Sequence, residues 1–442
     1  MNIKKKILLI QPTPYNRDHQ LIKKNKLYFV GLALPLLAAL TPADWEVEII
    51  IETIEEIPFD TTAQIVGISS MGHGVLRTLD LAQEFKKMGK TVILGGYMVS
   101  LMPEEAEKYC DALVVGDAED IWLELIRNWE QGVLKPLYEK KISDFTSLPL
   151  PRYDLITSKK IGDFLPVQAG RGCPNTCSFC SVFCLYRGQY LRRDIAEVIR
   201  DIKYVRSLGY KKFLLLDDNI ASDEDYMLEL VTEIKKLKMN WFSQCSLSVA
   251  KNEKLLKAMA ESGCLVLSFG LESITQTSLD QLNKKWSVVS QYPALIKKIR
   301  QAGIEVSTEM VVGADGDTLQ SIHATADFIE KNKILVPRFY ILTPIPGTDF
   351  FRKMQQEDRI YNHDIYSYNG TEAVHIPAHM SPEELTDAYW SLYQKVFGIW
   401  SIIKRTLLNK NFFKHPGRHL FYLLVNLKYR QDIKKGIPPN II

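Results

Sequence analysis

Three cysteines crowd one short stretch of this chain, Arg171-Gly172-Cys173-Pro174-Asn175-Thr176-Cys177-Ser178-Phe179-Cys180. The spacing Cys-x3-Cys-x2-Cys suits an iron–sulfur cubane, because thiolates are the usual ligands of such clusters and short spacers let one loop wrap three corners. The fourth iron is then left open to a ligand from outside the protein. The rival readings are a structural zinc site or plain buried thiols. Zinc prefers four ligands, usually as two separated pairs, and the chain offers no second pair. Cys184 could supply a fourth thiolate, but it reads as an ordinary small residue beside the cluster.

Gly172, Pro174 and the aromatic Phe179 directly before the third cysteine complete a pattern that resembles the cluster loop of the radical S-adenosylmethionine (SAM) enzymes. The resemblance implies a 4Fe–4S cluster held by Cys173, Cys177 and Cys180, with the amino and carboxylate groups of SAM on the open iron. It also implies reductive cleavage of SAM to a 5′-deoxyadenosyl radical, fed by an external electron donor such as flavodoxin or ferredoxin.

The elements that must position this loop follow from the rest of the chain. A length of 442 residues suggests two or three domains, and the hydrophobic and charged fractions are those of a globular protein. Seven cysteines, four of them at one locus, do not form a disulfide framework, and an oxygen-sensitive cluster belongs in a reducing compartment, which points to the cytoplasm. A formal charge of +3, without an arginine-rich arm, argues against nucleic acid. The apolar run after Lys4-Lys5-Lys6 is too short for a signal peptide and reads as a first buried strand. No stretch of eighteen uninterrupted apolar residues occurs to span a membrane.

Over residues 1–131, apolar runs at 7–11, 47–51, 65–69, 92–95 and 112–115 alternate with helical patterns at 31–40, 75–88, 103–109 and 120–129. This alternation predicts a parallel sheet covered on both faces, Rossmann-like or flavodoxin-like, with its ligand crevice at the carboxyl ends of the strands. Glycines mark two of those ends: Gly72, within Met71-Gly72-His73-Gly74, and Gly95-Gly96. Together with Met102-Pro103-Glu104-Glu105 and Val114-Val115-Gly116-Asp117-Ala118-Glu119, they resemble the cobalamin-binding domain that precedes the barrel in B12-dependent radical SAM enzymes. The resemblance implies cobalamin near Gly72, Gly95 and Gly96. The Asp-x-His-x-x-Gly motif that supplies a lower axial histidine in many cobalamin proteins is missing; Asp18 and His19 are adjacent instead, so no histidine ligand is assigned.

Residues 132–163 are rich in proline and polar residues and read as a linker. Residues 164–349 then alternate strand and helix signals six times, which predicts a partial (β/α)6 barrel of the TIM type with its active site at the carboxyl ends of the strands. Polar groups fall at five consecutive ends. The family resemblance implies that Asp217 meets the SAM amino group, that Glu272 of Gly-Leu-Glu-Ser approaches the ribose, and that Gly313 lets adenosine pack on backbone; Ser246 ends the third strand. Each also fits a plain role as a helix cap, as Asp223 does. Asp315 departs from the usual apolar residue of its turn.

Residues 350–442 predict a mainly helical domain, with a helix starting at Ser381-Pro382. Its last part mixes aromatic and basic residues and suits either peripheral contact with an anionic membrane or, the preferred reading, a helix packed on its own protein with a solvated basic rim. The whole implies a cobalamin-dependent radical SAM enzyme, a C-methyltransferase acting on an unactivated carbon of a small or lipid-like substrate. The rivals are a non-methylating radical SAM enzyme and a catalytically silent cobalamin-binding protein. A methylthiotransferase lacks support, since residues 1–131 offer only Cys110 for a further cluster.

Overall fold

The computed structural model describes residues 5–439 apart from 17, 70–71, 141–146 and 365–366; Met71 and the middle of the span 132–163 lie outside the described residues. The chain divides into two compact units, residues 1–167 with 192–211, and residues 168–191 with 212–441.

The first unit is built on β1 (Lys6–Gln11), α1 (Ala33–Leu40), β2 (Glu46–Ile51), β3 (Ile65–Ser69), α2 (Val75–Lys87), β4 (Thr91–Gly95), α3 (Tyr97–Leu101), α4 (Pro103–Ala106), β5 (Ala112–Gly116), α5 (Trp122–Glu130) and β6 (Leu137–Lys140). The strands pair in the order β2-β1-β3-β4-β5-β6, all parallel. Ile7, Leu8, Leu9 and Ile10 are all buried, which is why β1 reads as an unbroken apolar run instead of an alternating one. On one face Leu8, Val66, Val92 and Leu113 meet Leu79 and Phe85 of α2. The first five strands have the doubly wound order 2-1-3-4-5. One correction is needed to the expected linker: residues 137–140 form β6, a sixth strand paired with β5. Its pattern is too short and too exposed to announce a strand, and Leu113↔Leu137 pairing places it.

From the first unit into the second run β7 (Phe164–Gln168), β8 (Gly170–Gly172), α6 (Ser181–Tyr186), β9 (Tyr190–Arg192) and α7 (Ile195–Ser207). The second unit continues with β10 (Lys212–Leu216), α8 (Glu224–Leu237), β11 (Asn240–Cys245), α9 (Glu253–Glu261), β12 (Cys264–Glu272), α10 (Gln276–Gln281), α11 (Tyr292–Gln301), β13 (Glu305–Val312), α12 (Leu319–Lys331) and β14 (Val336–Ile341). The sheet order β14-β13-β12-β11-β10-β7 follows the chain, the open six-stranded relative of a (β/α)8 barrel. As expected, Asp223 caps α8, accepting from Tyr226 N at 2.9 Å.

The helical end comprises α13 (Asp349–Gln356), α14 (Pro382–Val396), α15 (Ile399–Thr406) and α16 (Pro416–Ile433). Ser381 and Glu384 form a capping box around the Pro382 start of α14. Further along that helix, the Tyr393 hydroxyl accepts from Phe339 N at 2.8 Å and donates to Phe339 O at 3.0 Å. It thereby satisfies backbone groups of β14, the strand at the end of the sheet. Among the described residues no helix is long and apolar enough to cross a membrane.

Candidate functional site

The three-cysteine loop is fixed from three directions. At its start Gly172 has φ +82°, a conformation suited to glycine, and a Cβ there would collide with Gln189 O. Gly172 N also donates to Asp218 Oδ2 at 2.7 Å, which ties the loop to the end of β10. In the middle, Ser178 N donates to Leu282 O at 3.0 Å and Asn283 Nδ2 donates to Thr176 O at 2.7 Å. Phe179 packs against a cluster that includes Leu282, Leu342, Phe350 and Met354.

Burial raises all three thiols, Cys177 to about 12 and Cys180 to about 11. A metal that takes them must therefore displace their protons. Among the described residues no three His, Cys, Asp or Glu side chains converge on a point where one ion would sit. Cys184, the only candidate for a fourth thiolate, donates its S–H to Gly347 O at 3.1 Å. The donor set fits a cubane.

Around the loop the strand ends supply four anchors. Asp217, after β10, is buried; its Oδ2 accepts from the Tyr190 hydroxyl at 2.8 Å and its Oδ1 from Asn219 N at 2.8 Å. Burial pushes its carboxyl up to about 7. Both oxygens thus already serve the chain. Asn219 is more central than the sequence suggests. Its Nδ2 lies 3.7 Å from Cys173 Sγ and donates to Ser246 Oγ at 2.9 Å, and its Oδ1 accepts from Ser246 N at 2.9 Å. One amide therefore braces a cluster thiol and the end of β11 together.

Glu272, at the end of β12, has φ +61°, and the register with β13 slips between Gly270 and Glu272. The slip turns the carboxylate back over Gly270, where any Cβ would collide with Glu272 Oε1. Lys284 Nζ donates to that oxygen at 2.7 Å and to Gly270 O at 2.8 Å. Burial alone would lower the Lys284 pKa, but Glu272 and Cys177 outweigh it and hold the ammonium charged. Gly313, with φ +100°, donates its N–H to Asp317 Oδ2 at 3.0 Å, and Asp317 Oδ1 accepts from Ser278 Oγ at 2.6 Å. Asp315, whose role the sequence leaves open, is an ion-pair partner of Lys353 and Arg359, which hold its carboxyl down at about 2 against the upward pull of burial.

Sequence reasoning missed Lys284 and Asn219 as well as a polar level inside the barrel. There Glu309 of β13 pairs with Arg338 of β14, and Ser268 Oγ of β12 donates to Glu309 Oε1 at 3.0 Å. Arg338 Nε is buried without a hydrogen-bond partner. Little in the sequence signals it, because β13 also carries Glu305, Ser307 and Thr308; only the partial burial of Glu309 and Arg338, which such residues accept when paired, reveals the level.

In the first unit, glycines mark the ends of β4 and β5. Gly96 has φ +99° and its carbonyl accepts from Ser100 N at 3.0 Å; Gly116 has φ +83° and its N–H donates to Ser100 Oγ at 3.0 Å. A Cβ on Gly72, just after β3, would meet nothing within 4 Å. These bare strand ends fit a large flat ligand lying against backbone. The loop after β1 is tied down: Thr13 N donates to Glu52 Oε2 at 3.0 Å, Arg77 grips Glu52 Oε1, and the Tyr15 hydroxyl donates to Asp80 at 2.5 Å. His19 sits exposed on the turn within it.

Residues 167–329 match the model of the radical SAM superfamily, and residues 29–126 match that of the B12 binding domain. The chain carries a radical SAM domain preceded by a B12-binding domain. Like other radical SAM enzymes it works with a 4Fe–4S cluster and SAM, and its B12-binding domain takes cobalamin. The chain is similar to bacteriochlorophyllide d C-12(1)-methyltransferase of Chlorobaculum tepidum, 28% identical over 412 residues, which covers 91% of this chain and 89% of that protein. It is also similar to the anaerobic magnesium-protoporphyrin IX monomethyl ester cyclase of Rubrivivax gelatinosus, 24% identical over 390 residues, 80% of this chain and 67% of that one. Among solved structures, the cobalamin-dependent SAM radical enzyme OxsB shares the fold, with a TM-score of 0.66 at 15% identity, covering 96% of this chain and 72% of that chain.

Proposed function

We propose that this radical SAM enzyme is a C-methyltransferase that places a methyl group on an unactivated carbon of a large apolar substrate such as a tetrapyrrole, polyprenoid or lipid. The observation that carries the reading is the pairing, in one chain, of a B12-binding domain with a three-thiol loop whose surroundings are already braced for a ligand. When bound, the cluster supplies reductive cleavage of SAM to a carbon radical, and cobalamin supplies a transferable methyl group. The protein's part is to hold these groups and the substrate in line and dry.

In this reading Cys173, Cys177 and Cys180 hold the cluster, and Asn219 fixes the orientation of Cys173. Glu272, charged and aimed by Lys284, accepts from the SAM ribose hydroxyls through the oxygen that Lys284 leaves open. Asp217 meets the SAM ammonium by sharing an oxygen with Tyr190, while Ser246 lines the same edge. Gly72, Gly95 and Gly96 border the corrin, whereas Gly313, covered by Leu385 and bonded through its N–H to Asp317 and through its carbonyl to His375, shapes the turn after β13 and offers adenosine no bare backbone. Arg338 and Glu309 offer the substrate its polar contacts within the barrel. An oxygen-sensitive cluster is best kept in a reducing compartment, which favours the cytoplasm, with a flavodoxin or ferredoxin as electron donor.

A ring-forming reaction is the second reading, favoured by the similarity to the cyclase. Anaerobic reconstitution with cluster, SAM, cobalamin and a reductant separates the two. Methyl transfer consumes SAM both as methyl donor and as radical source and yields a methylated product, whereas cyclisation yields 5′-deoxyadenosine without one. Cys177→Ala abolishes 5′-deoxyadenosine in both cases. Its persistence in that variant would remove the cluster from the explanation.

A further inference from the structure

Helix α16 buries an unusual share of polar groups. His419 and Asn426 are fully buried and Asp432 is buried further along, beside the buried Tyr422 and Ile433. Asn426 accepts from Arg405 Nη2 at 3.0 Å and donates to Leu335 O at 3.0 Å; His419 Nδ1 lies 3.0 Å from Thr406 O. Near its start it turns apolar residues outward. Leu420, Phe421 and Leu424, spaced to share one helical face, are 48%, 55% and 66% exposed, and Phe413 just before the helix is 86% exposed. A helix bordering water shows the reverse arrangement, and a contiguous outward apolar face marks a surface that something covers. The expected helix packed on its own protein is present, and beyond that expectation it carries a second, outward apolar face.

Charge identifies the partner. Residues 388–431 carry eight lysines and arginines and no aspartate or glutamate; Arg405 is buried, and Lys395, Lys404 and Lys428 pair with Asp327, Glu330 and Asp432. Lys410 and Lys414, on either side of Phe413 in the chain, are exposed. Apolar side chains flanked by long cationic ones match the boundary of an anionic bilayer, where the rings and aliphatic groups enter the acyl region and the cations stay among the head groups. We propose that the outward face of α16, with Phe413, is a peripheral docking surface for an anionic lipid bilayer. The helix lies along the membrane and does not cross it. This docking is independent of which reaction the barrel performs.

The test uses the full chain, purified anaerobically, in sedimentation with vesicles of phosphatidylcholine alone or mixed with phosphatidylglycerol. The protein is expected to partition onto the mixed vesicles, weakly onto neutral ones, and less as salt rises. Lys410→Gln with Lys414→Gln weakens partition about 25-fold, at roughly fivefold per basic residue near an anionic surface. Leu420→Ser, Phe421→Ser and Leu424→Ser together abolish it with an unchanged unfolding midpoint, since these side chains are exposed. The proposal is overturned by absence of binding to the mixed vesicles, by equal binding to neutral ones, or by undiminished binding of the serine variant. It is also overturned by a concentration-dependent dimer that the serine variant disperses while the vesicles stay bare, because the occupant is then a second copy of the chain.

Discussion

Lys284→Met tests whether the Glu272 carboxylate is held by its partner or by the strand alone. In the parent the ammonium lies 2.7 Å from Glu272 Oε1, and both side chains are almost wholly buried. Methionine keeps the bulk of the side chain and removes the charge. The carboxylate then stands without its cation, over Gly270, at a backbone of φ +61° that itself costs about 1–3 kcal/mol. Removing one member of a buried pair costs about 3–5 kcal/mol, because the remaining charge keeps its desolvation penalty. For a unit of this size that corresponds to a fall of about 10 °C in the unfolding midpoint. Scanning calorimetry of the anaerobically purified protein should show the shift. Glu272→Gln combined with Lys284→Met removes both charges and should recover at least half of the loss. A Lys284→Met midpoint within about 2 °C of the parent, or a double variant as unstable as the two single losses added, would refute the argument that this pair fixes the carboxylate.

Asn219→Ala deletes the amide that braces Cys173 and Ser246; iron content should stay near that of the parent while 5′-deoxyadenosine formation falls at least tenfold, read by chromatography beside an iron assay. Gly270→Ala forces a methyl group into the space of Glu272 Oε1, and the KM for SAM should rise about tenfold with the cluster spectrum unchanged. His375, buried against Phe350 with Nε2 3.1 Å from Gly313 O, has its pKa lowered to about 4 by burial, against the opposing hydrogen bond to Gly313 O, with smaller contributions from Arg359 downward and Asp315 upward. Because the folded value lies below the unfolded one, the neutral ring's contribution is complete above pH 6.5 and is lost as the pH falls from 6.5 towards 4, by about 3 kcal/mol in all. Urea midpoints taken across that window should drop in the parent and drop less in His375→Phe.

The first sheet and the barrel were legible because their strands announce themselves. Residues 7–10 and 65–68 are apolar at every position, as strands covered on both faces must be, and the helices between them keep a helical apolar period. The three cysteines were legible because their spacing is local. What stayed hidden depends on contacts distant in sequence. Lys284 is an unremarkable lysine after α10 until the β12 slip turns Glu272 towards it. Asn219 looks like a turn residue until β10 and β11 pair and bring Ser246 within 2.9 Å. Helix α16 defeats pattern reading for another reason. Its period marks two faces, and only the partners of His419 and Asn426 reveal which one is turned inward.

The tripeptide Leu282-Asn283-Lys284 ties these pieces into one unit. Leu282 O accepts from Ser178 N, Asn283 Nδ2 donates to Thr176, and Lys284 Nζ donates to Glu272, so three consecutive residues reach both the cysteine loop and the proposed ribose contact. Asn283 itself has φ +54°, a conformation that asparagine tolerates better than most residues. Without that turn, Lys284 would follow the direction of α10 and could not reach back to Gly270 and Glu272. Strain at Glu272 and strain at Asn283 are therefore two ends of one arrangement, each stabilised by hydrogen bonds that the other's position makes available. An enzyme that must bring a cluster thiol and a SAM hydroxyl contact into fixed register gains from such a short covalent link, because three bonded residues cannot drift apart as separate loops can. On this argument a defect at Asn283 should disturb the cysteine loop and the Glu272 carboxylate together, and a defect confined to one of them would mean that the two sites are positioned independently.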